Sequence, residues 1–98
     1  MTSEQQKQLQ DQEFTISNLY DRMAYQLKEL LSNNLKSIIT SPVLPGTVQL
    51  TPSGNIIVLM RDCQTTGGYP RIFQLKENSI NVLAQKYQGN TIRFRLLD

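Results

Sequence analysis

No histidine occurs among the 98 residues, and cysteine occurs once, as Cys63. Without an imidazole the chain alone builds no Ser-His-Asp triad, no Cys-His dyad and no imidazole-based zinc site. One cysteine excludes an internal disulfide framework. Asp62 beside it disfavours the thiolate, so Cys63 reads as a reduced, half-buried thiol of a cytoplasmic protein rather than a nucleophile. Charge of one sign is scarce too: ten Lys and Arg against eight Asp and Glu leave +2, short of the concentrated basic face of a nucleic-acid binder. Arg93 and Arg95 alternate with Phe94 and Leu96 as the solvent face of a strand does. No apolar run approaches the roughly 20 residues that span a bilayer, and Thr2 to Gln12 is polar instead of a signal core. The expectation is one small cytoplasmic domain that engages neither nucleic acid nor membrane.

Residues 1–12 are Gln-rich with Leu9 as their apolar residue, which reads as a polar linker or frayed helix ahead of a domain at 13–98. From Glu13 the pattern alternates: Phe14 and Ile16 against Thr15 and Ser17 predict a short strand that Asn18 ends. Asp21 to Leu31 fits two templates. Met23, Leu27, Leu30 and Leu31 make a helical stripe, Met23, Tyr25 and Leu27 a strand face, and local propensity favours the helix. Asn33 and Asn34 predict a turn, Leu35 to Thr40 a β-branched strand, and Pro42, Pro45 and Gly46 an irregular extended connection.

The sharpest local signal is a hairpin, Thr47 to Leu50, then Thr51-Pro52-Ser53-Gly54, then Asn55 to Met60. Its second arm is apolar on both faces, the mark of a central strand. Arg71 to Leu75 resumes alternation, Ser79 is placed to cap a helix from Ile80 to Lys86, Gly89-Asn90 turns the chain, and Thr91 to Leu97 ends it as a strand. Short strands with one or two short helices predict a mainly β, small barrel-like domain without internal repeats.

The segment that folding explains least is Asp62-Cys63-Gln64-Thr65-Thr66-Gly67-Gly68-Tyr69-Pro70, directly after the most apolar strand. Paired glycines let backbone N–H groups converge on a carboxylate or phosphate, with hydroxyls from Thr65 and Thr66 and an amide from Gln64. A plain β-turn that uses Gly67-Gly68 for positive φ fits the same composition. Asp62 fits a general base or an amide-orienting group, and equally a strand-end residue bonded to the next turn. Asp21 and Arg22 form either a second polar wall for a carboxylate or a surface ion pair. Arg71 fits an anion-facing side chain or an exposed strand residue, and Tyr69 a half-buried aromatic closing the turn. No Walker loop, dinucleotide fingerprint or metal-ligand spacing occurs.

In order, Phe14-Thr15-Ile16-Ser17, Asp21-Arg22-Met23-Ala24-Tyr25-Gln26-Leu27, Ser41-Pro42-Val43-Leu44-Pro45-Gly46-Thr47-Val48-Gln49 and Gln64-Thr65-Thr66-Gly67-Gly68-Tyr69-Pro70-Arg71-Ile72 resemble one family. It is the biotin-dependent carboxyltransferase-like family, whose branches are allophanate hydrolase subunit 2, the 5-oxoprolinase C subunit and the KipI antagonist KipA. The likeness runs from about Leu9 to Asp98 and includes Leu83-Ala84-Gln85 and Gly89-Asn90-Thr91-Ile92-Arg93-Phe94. It implies a cyclophilin-like closed β-barrel and the C-terminal portion of a longer architecture, as a fragment or a naturally short relative. It further implies a small amide or lactam substrate, for ATP-dependent hydrolysis or carboxyl transfer, with no activity expected from this chain alone. Partner domains would bring ATP or biotin, and the chain itself would bind no cofactor. The implied partner is a KipI-like protein or one similar to the 5-oxoprolinase B subunit; a KipA-like member would be a non-catalytic module binding it. Carried over by position, the substrate-facing residues are Asp21, Arg22, Gln64, Thr65, Thr66, Gly67, Gly68 and Tyr69, beside Asp62 from the residue reading. Two positions depart: Ala24 stands where the family usually has Gly, and Gln26 where it has Arg, removing a fixed positive charge. A barrel half from a longer protein also leaves apolar surface uncovered, which predicts weak self-association.

Overall fold

The computed structural model describes residues 3–31, 41–63 and 66–95. The turn expected at Asn33-Asn34 and the strand expected over Leu35 to Thr40 lie outside the described residues. The elements in chain order are α1 (Ser3–Asp11), β1 (Phe14–Tyr20), β2 (Ala24–Leu30), β3 (Ser41–Pro42), β4 (Thr47–Leu50), β5 (Asn55–Leu59), β6 (Thr66–Gly67), β7 (Arg71–Gln74), α2 (Glu77–Ala84) and β8 (Thr91–Ile92). Six strands make one antiparallel sheet in the order β7-β4-β5-β2-β1-β8, and β3 pairs with β6 in a separate two-stranded ribbon.

The hairpin β4–β5 forms where Pro52 and Gly54 place it, with Val48 opposite Val58 and Leu50 opposite Ile56. Gly54 holds φ +94, its N–H donates to the Thr51 carbonyl at 2.9 Å, and its own carbonyl accepts from Leu31 at 2.8 Å. As its two-sided apolar pattern requires, β5 is interior, flanked by β4 and β2. Every residue of β4 is buried, so that strand too is covered on both faces.

Four local expectations change. The segment from Ala24 to Leu30 is strand, not helix, because it is paired on both sides, Tyr25 facing Tyr20 of β1 and Val58 of β5. Tyr25 and Leu27 go inward while Met23 and Leu30 are exposed, which breaks the helical stripe. β1 runs through Asn18 to Tyr20, its pairing with β2 shifting register between Ile16 and Tyr20. α2 starts at Glu77 after Lys76, with no side-chain cap, so Ser79 lies inside its first turn. At the other end, Ser3–Asp11 is helical and Leu9 is fully buried in the core.

The core lies on one face of the sheet. Phe14, Ile16, Leu27, Val48, Leu50, Ile56 and Val58 meet Leu9 from α1 and Ile80 and Leu83 from α2. Edge packing of Phe14 against Phe94 closes one end, the two rings standing 5.5 Å apart and T-shaped. The expected closed barrel is an open, curled half-barrel: the strand order terminates at β7 and β8, and no ladder joins these edges among the described residues. β8 is correspondingly short, Thr91–Ile92, where a strand to Leu97 was expected; residues 96–98 lie outside the described residues.

Candidate functional site

Asp21, Arg22 and Asp62 come together at one corner, through turn chemistry. Asp21 Oδ1 accepts the backbone N–H groups of Met23 at 2.8 Å and Ala24 at 3.0 Å, closing the β1–β2 hairpin. The Asp62 N–H donates to the Arg22 carbonyl at 3.0 Å, and Met60 N–H to the Met23 carbonyl at 2.9 Å, so the turn after β5 is laced onto that hairpin. Arg22 Nε sits 3.0 Å from Asp62 Oδ2, with the two side chains 89% and 50% exposed. A pair that open to water contributes little to stability. The Asp21 carboxylate is thus engaged with backbone amides rather than aimed at a ligand. No hydrogen bond or ion pair links this corner to Gly67, Gly68 or Tyr69 among the described residues.

The glycine segment is built differently from a positive-φ turn. Gln64 and Thr65 lie outside the described residues, and Thr66 is described as backbone in β6. Gly46, Gly54 and Gly89 hold positive φ; Gly67 does not. What distinguishes Gly67 is a close approach. A Cβ there would run into Gln49 Nε2 and lie 3.3 Å from Val43 Cγ1. Tyr69 is exposed rather than half-buried, so it does not close the turn onto the core. Cys63 is a half-buried free thiol, as expected.

Gln49 is the residue that sequence reading missed. It is 1% exposed, on the face of β4 opposite the core, and its side-chain nitrogen has no hydrogen-bond partner among the described residues. The ribbon β3–β6 covers it, with Ser41 opposite Gly67 and Pro42 opposite Thr66. Val43 and Leu59, buried but outside the main core, complete this second small layer with Thr47. Across the sheet, Gln49 faces Ile57, Ile57 faces Gln26, and on the other side Gln49 faces Arg71. Cross-strand partners share a face, so Arg71, Gln49, Ile57 and Gln26 form one transverse row. A β-bulge between Val48 and Gln49 puts Arg71, not Ile72, opposite Gln49. Gln26 Nε2 donates to Asn55 Oδ1 at 3.2 Å. The signal was present in the sequence: a Gln between two core residues of a fully buried strand.

Amides and a guanidinium bind and orient oxygen-rich groups without exchanging protons near neutrality. Elsewhere, two ionisable groups are moved by structure. Burial pushes the Tyr25 phenol up, helped by Tyr20 beside it. Burial also pushes Glu29 up, but the amide and hydroxyl of Thr15 outweigh it and hold the carboxyl below its ordinary value. Among the described residues no cluster of His, Cys, Asp and Glu is able to hold a metal, and no helix is long and apolar enough to cross a membrane.

A separate hollow lies on another part of the domain. A groove of about 690 Å³ runs between β7, α2 and the segment following β8, with Phe73, Leu75, Val82 and Ile92 among its apolar walls. Lys76, Lys86, Arg93 and Arg95 also line it. It follows the gap between the two sheet edges.

Comparison with known proteins bears on this geometry. The profile of the family described as carboxyltransferase domain, subdomain A and B, matches residues 1–96. The 5-oxoprolinase C subunit of Haemophilus influenzae is 38% identical over 84% of this chain and 27% of its own length. That of Escherichia coli is 41% identical over 81% of this chain and 26% of its own. The chain therefore spans about a quarter of these relatives. A crystal structure of TTHA0988 matches 98% of the chain with a TM-score of 0.85 at 25% identity, covering 19% of that longer protein. In another crystal form the TM-score is 0.82 at 26% identity.

Proposed function

The chain belongs to the carboxyltransferase-domain family, subdomain A and B, and from that premise we propose that it is the C-terminal, cyclophilin-like portion of a site of the 5-oxoprolinase C subunit or allophanate hydrolase subunit 2 type. In this reading it binds a small amide or lactam in the cytoplasm, and turnover by ATP-dependent hydrolysis or carboxyl transfer requires further domains and partner subunits that bring ATP or biotin. Two relatives named as the C subunit of 5-oxoprolinase, at 38% and 41% identity, support the substrate class. The observation that carries the reading is the polar row on the sheet face, with Gln49 beneath Gly67 and Arg71 opposite Gln49. Such a floor presents donors to a carbonyl or carboxylate and supplies no nucleophile of its own. In this reading the substrate-facing residues are Asp21, Arg22, Asp62 and the run from Gln64 to Tyr69.

Grafting this chain in place of the matching quarter of a 5-oxoprolinase C subunit, then assaying 5-oxoproline hydrolysis in the assembled complex, tests the proposal. Retained turnover that is lost on Gly68→Val supports it. An assembled complex whose turnover ignores the substitution removes the glycine segment from the site.

A second reading is a non-catalytic KipA-type module that binds a KipI-like protein or one similar to the 5-oxoprolinase B subunit. It is favoured by the groove between β7 and β8, whose apolar walls carry four cationic side chains. Protein surfaces that combine an apolar floor with basic side chains suit an acidic, partly apolar partner segment. Absence of a complex at micromolar concentration with such a protein argues against it.

A further inference from the structure

The side-chain nitrogen of Gln49 has no hydrogen-bond partner among the described residues. It is a donor only, and it is buried. A buried donor without an acceptor loses its water and gains nothing in return, so an apolar side chain of similar length would serve the fold better. The neighbouring sequence is nevertheless arranged around this amide. Gly67 lacks the Cβ that would collide with Gln49 Nε2, and a bulge brings Arg71 to the position opposite Gln49. A glycine and a bulge placed beside an amide nitrogen that has no partner among the described residues indicate a group held ready for a bond made later.

The geometry points to Gln49 Nε2 as the donor that receives a carbonyl-type oxygen, from the carboxylate or the amide of a small ligand, at a site between β4 and the β3–β6 ribbon. Access requires that the ribbon lift. Its ladder spans two residue pairs, and one of its four residues, Pro42, has no N–H to contribute. Lifting it frees the space over Gln49 while the six-stranded sheet stays intact. The ligand class rests on the function proposed above; the orphaned amide does not.

Two measurements on the 98-residue chain test this. In the first, Gln49→Met is compared with the parent by thermal unfolding. An unpartnered amide gives a variant with an equal or higher midpoint, whereas a midpoint several degrees lower means the amide is already bonded, which overturns the inference. The second needs no variant: the Gln49 side-chain NH2 resonances are followed while acetate, acetamide and 5-oxoproline are added separately. A saturable shift with at least one probe is expected, with apparent affinity about tenfold weaker in a backbone-detected titration of Gln49→Met, as loss of one good hydrogen bond implies. Response to acetate alone or acetamide alone identifies which oxygen is bound. Shifts confined to the backbone of residues 66–69, with Gln49 unmoved, overturn the inference and leave the proposed function standing. A response to acetate without one to 5-oxoproline does the reverse. Silence of the Gln49 amide to all three probes also overturns it.

Discussion

The hydroxyl of Tyr25 donates to the backbone carbonyl of Lys86 at 2.9 Å, joining the interior strand β2 to the turn that follows α2. The phenol is buried, and its ionisation is pushed up by that burial first and by Tyr20 second. A folded-state value raised above the ordinary 10.0 means that the fold favours the protonated phenol, so its contribution is complete below pH 10 and lost as pH climbs through the folded value. Tyr25→Phe should cost about 1 kcal/mol near neutrality, because the bond disappears and the Lys86 carbonyl is left to water. The stability gap between parent and variant should narrow above pH 10. Urea titrations at pH 7 and at increasing alkaline pH check both statements.

Glu29 behaves in the opposite sense. Its carboxylate accepts the Thr15 N–H at 2.6 Å and the Thr15 hydroxyl at 2.9 Å, pinning β2 to β1. Burial raises its pKa, the Thr15 bonds outweigh that, and the net value lies below the ordinary 4.5. The folded state thus favours the charged form: the contribution is present above pH 4.5 and fades as pH falls through the lower folded value. Glu29→Gln should be less stable than the parent at pH 7 and should approach it on acidification. A gap that stays constant from pH 7 to the acid transition contradicts the assignment.

Gly54 and Gly89 both hold φ near +90, yet their surroundings differ. A Cβ on Gly54 would stand 3.0 Å from the Leu31 carbonyl oxygen, a backbone atom that cannot swing aside, whereas one on Gly89 would meet nothing within 4 Å. Gly89→Ala should cost about 1 kcal/mol, the penalty of a left-handed conformation alone. Gly54→Ala should cost more, about 2–3 kcal/mol, since the collision adds to it. Chemical denaturation of the two variants, measured side by side, gives the order.

The groove between the sheet edges should make the isolated chain self-associate weakly. Its apolar walls favour contact, while Lys76, Lys86, Arg93 and Arg95 repel their counterparts on a second copy. Added salt screens that repulsion over about 10 Å at 0.1 M, so association should strengthen as salt rises. Sedimentation velocity across concentration and salt reads this directly. A profile that stays monomeric throughout counts against the groove as a contact surface.

Much of the sheet was legible in the residues, and the reasons are local. Pro52 and Gly54 announce the β4–β5 hairpin, and the apolar run Ile56 to Met60 announces an interior strand. β2 was illegible because its identity is set by neighbours remote in sequence: Leu27 and Leu31 are buried in either secondary structure, and only pairing with β1 and β5 decides. The site divides the same way. Residue types at Asp21, Arg22 and Asp62 drew attention through their charge, yet turn geometry accounts for the Asp21 carboxylate and water weakens the ion pair. The glycine pair was noticed for torsional freedom, while Gly67 is small because of what lies under it. Gln49 went unread because a buried polar side chain becomes conspicuous only once the strand around it is known to be covered on both faces.

The strand order has an outcome for how the chain comes apart. β1–β2 and β4–β5 are hairpins of neighbouring strands, and the seam that unites them, β2 with β5, lies at the middle of the sheet. Neither hairpin keeps its apolar face dry by itself, since Ile16 and Leu27 on one side meet Ile56 and Val58 on the other. The domain therefore has the organisation of two complementary peptides held on one backbone. Severed between Leu31 and Ser41, it would become an obligate pair whose halves fold only in each other's presence.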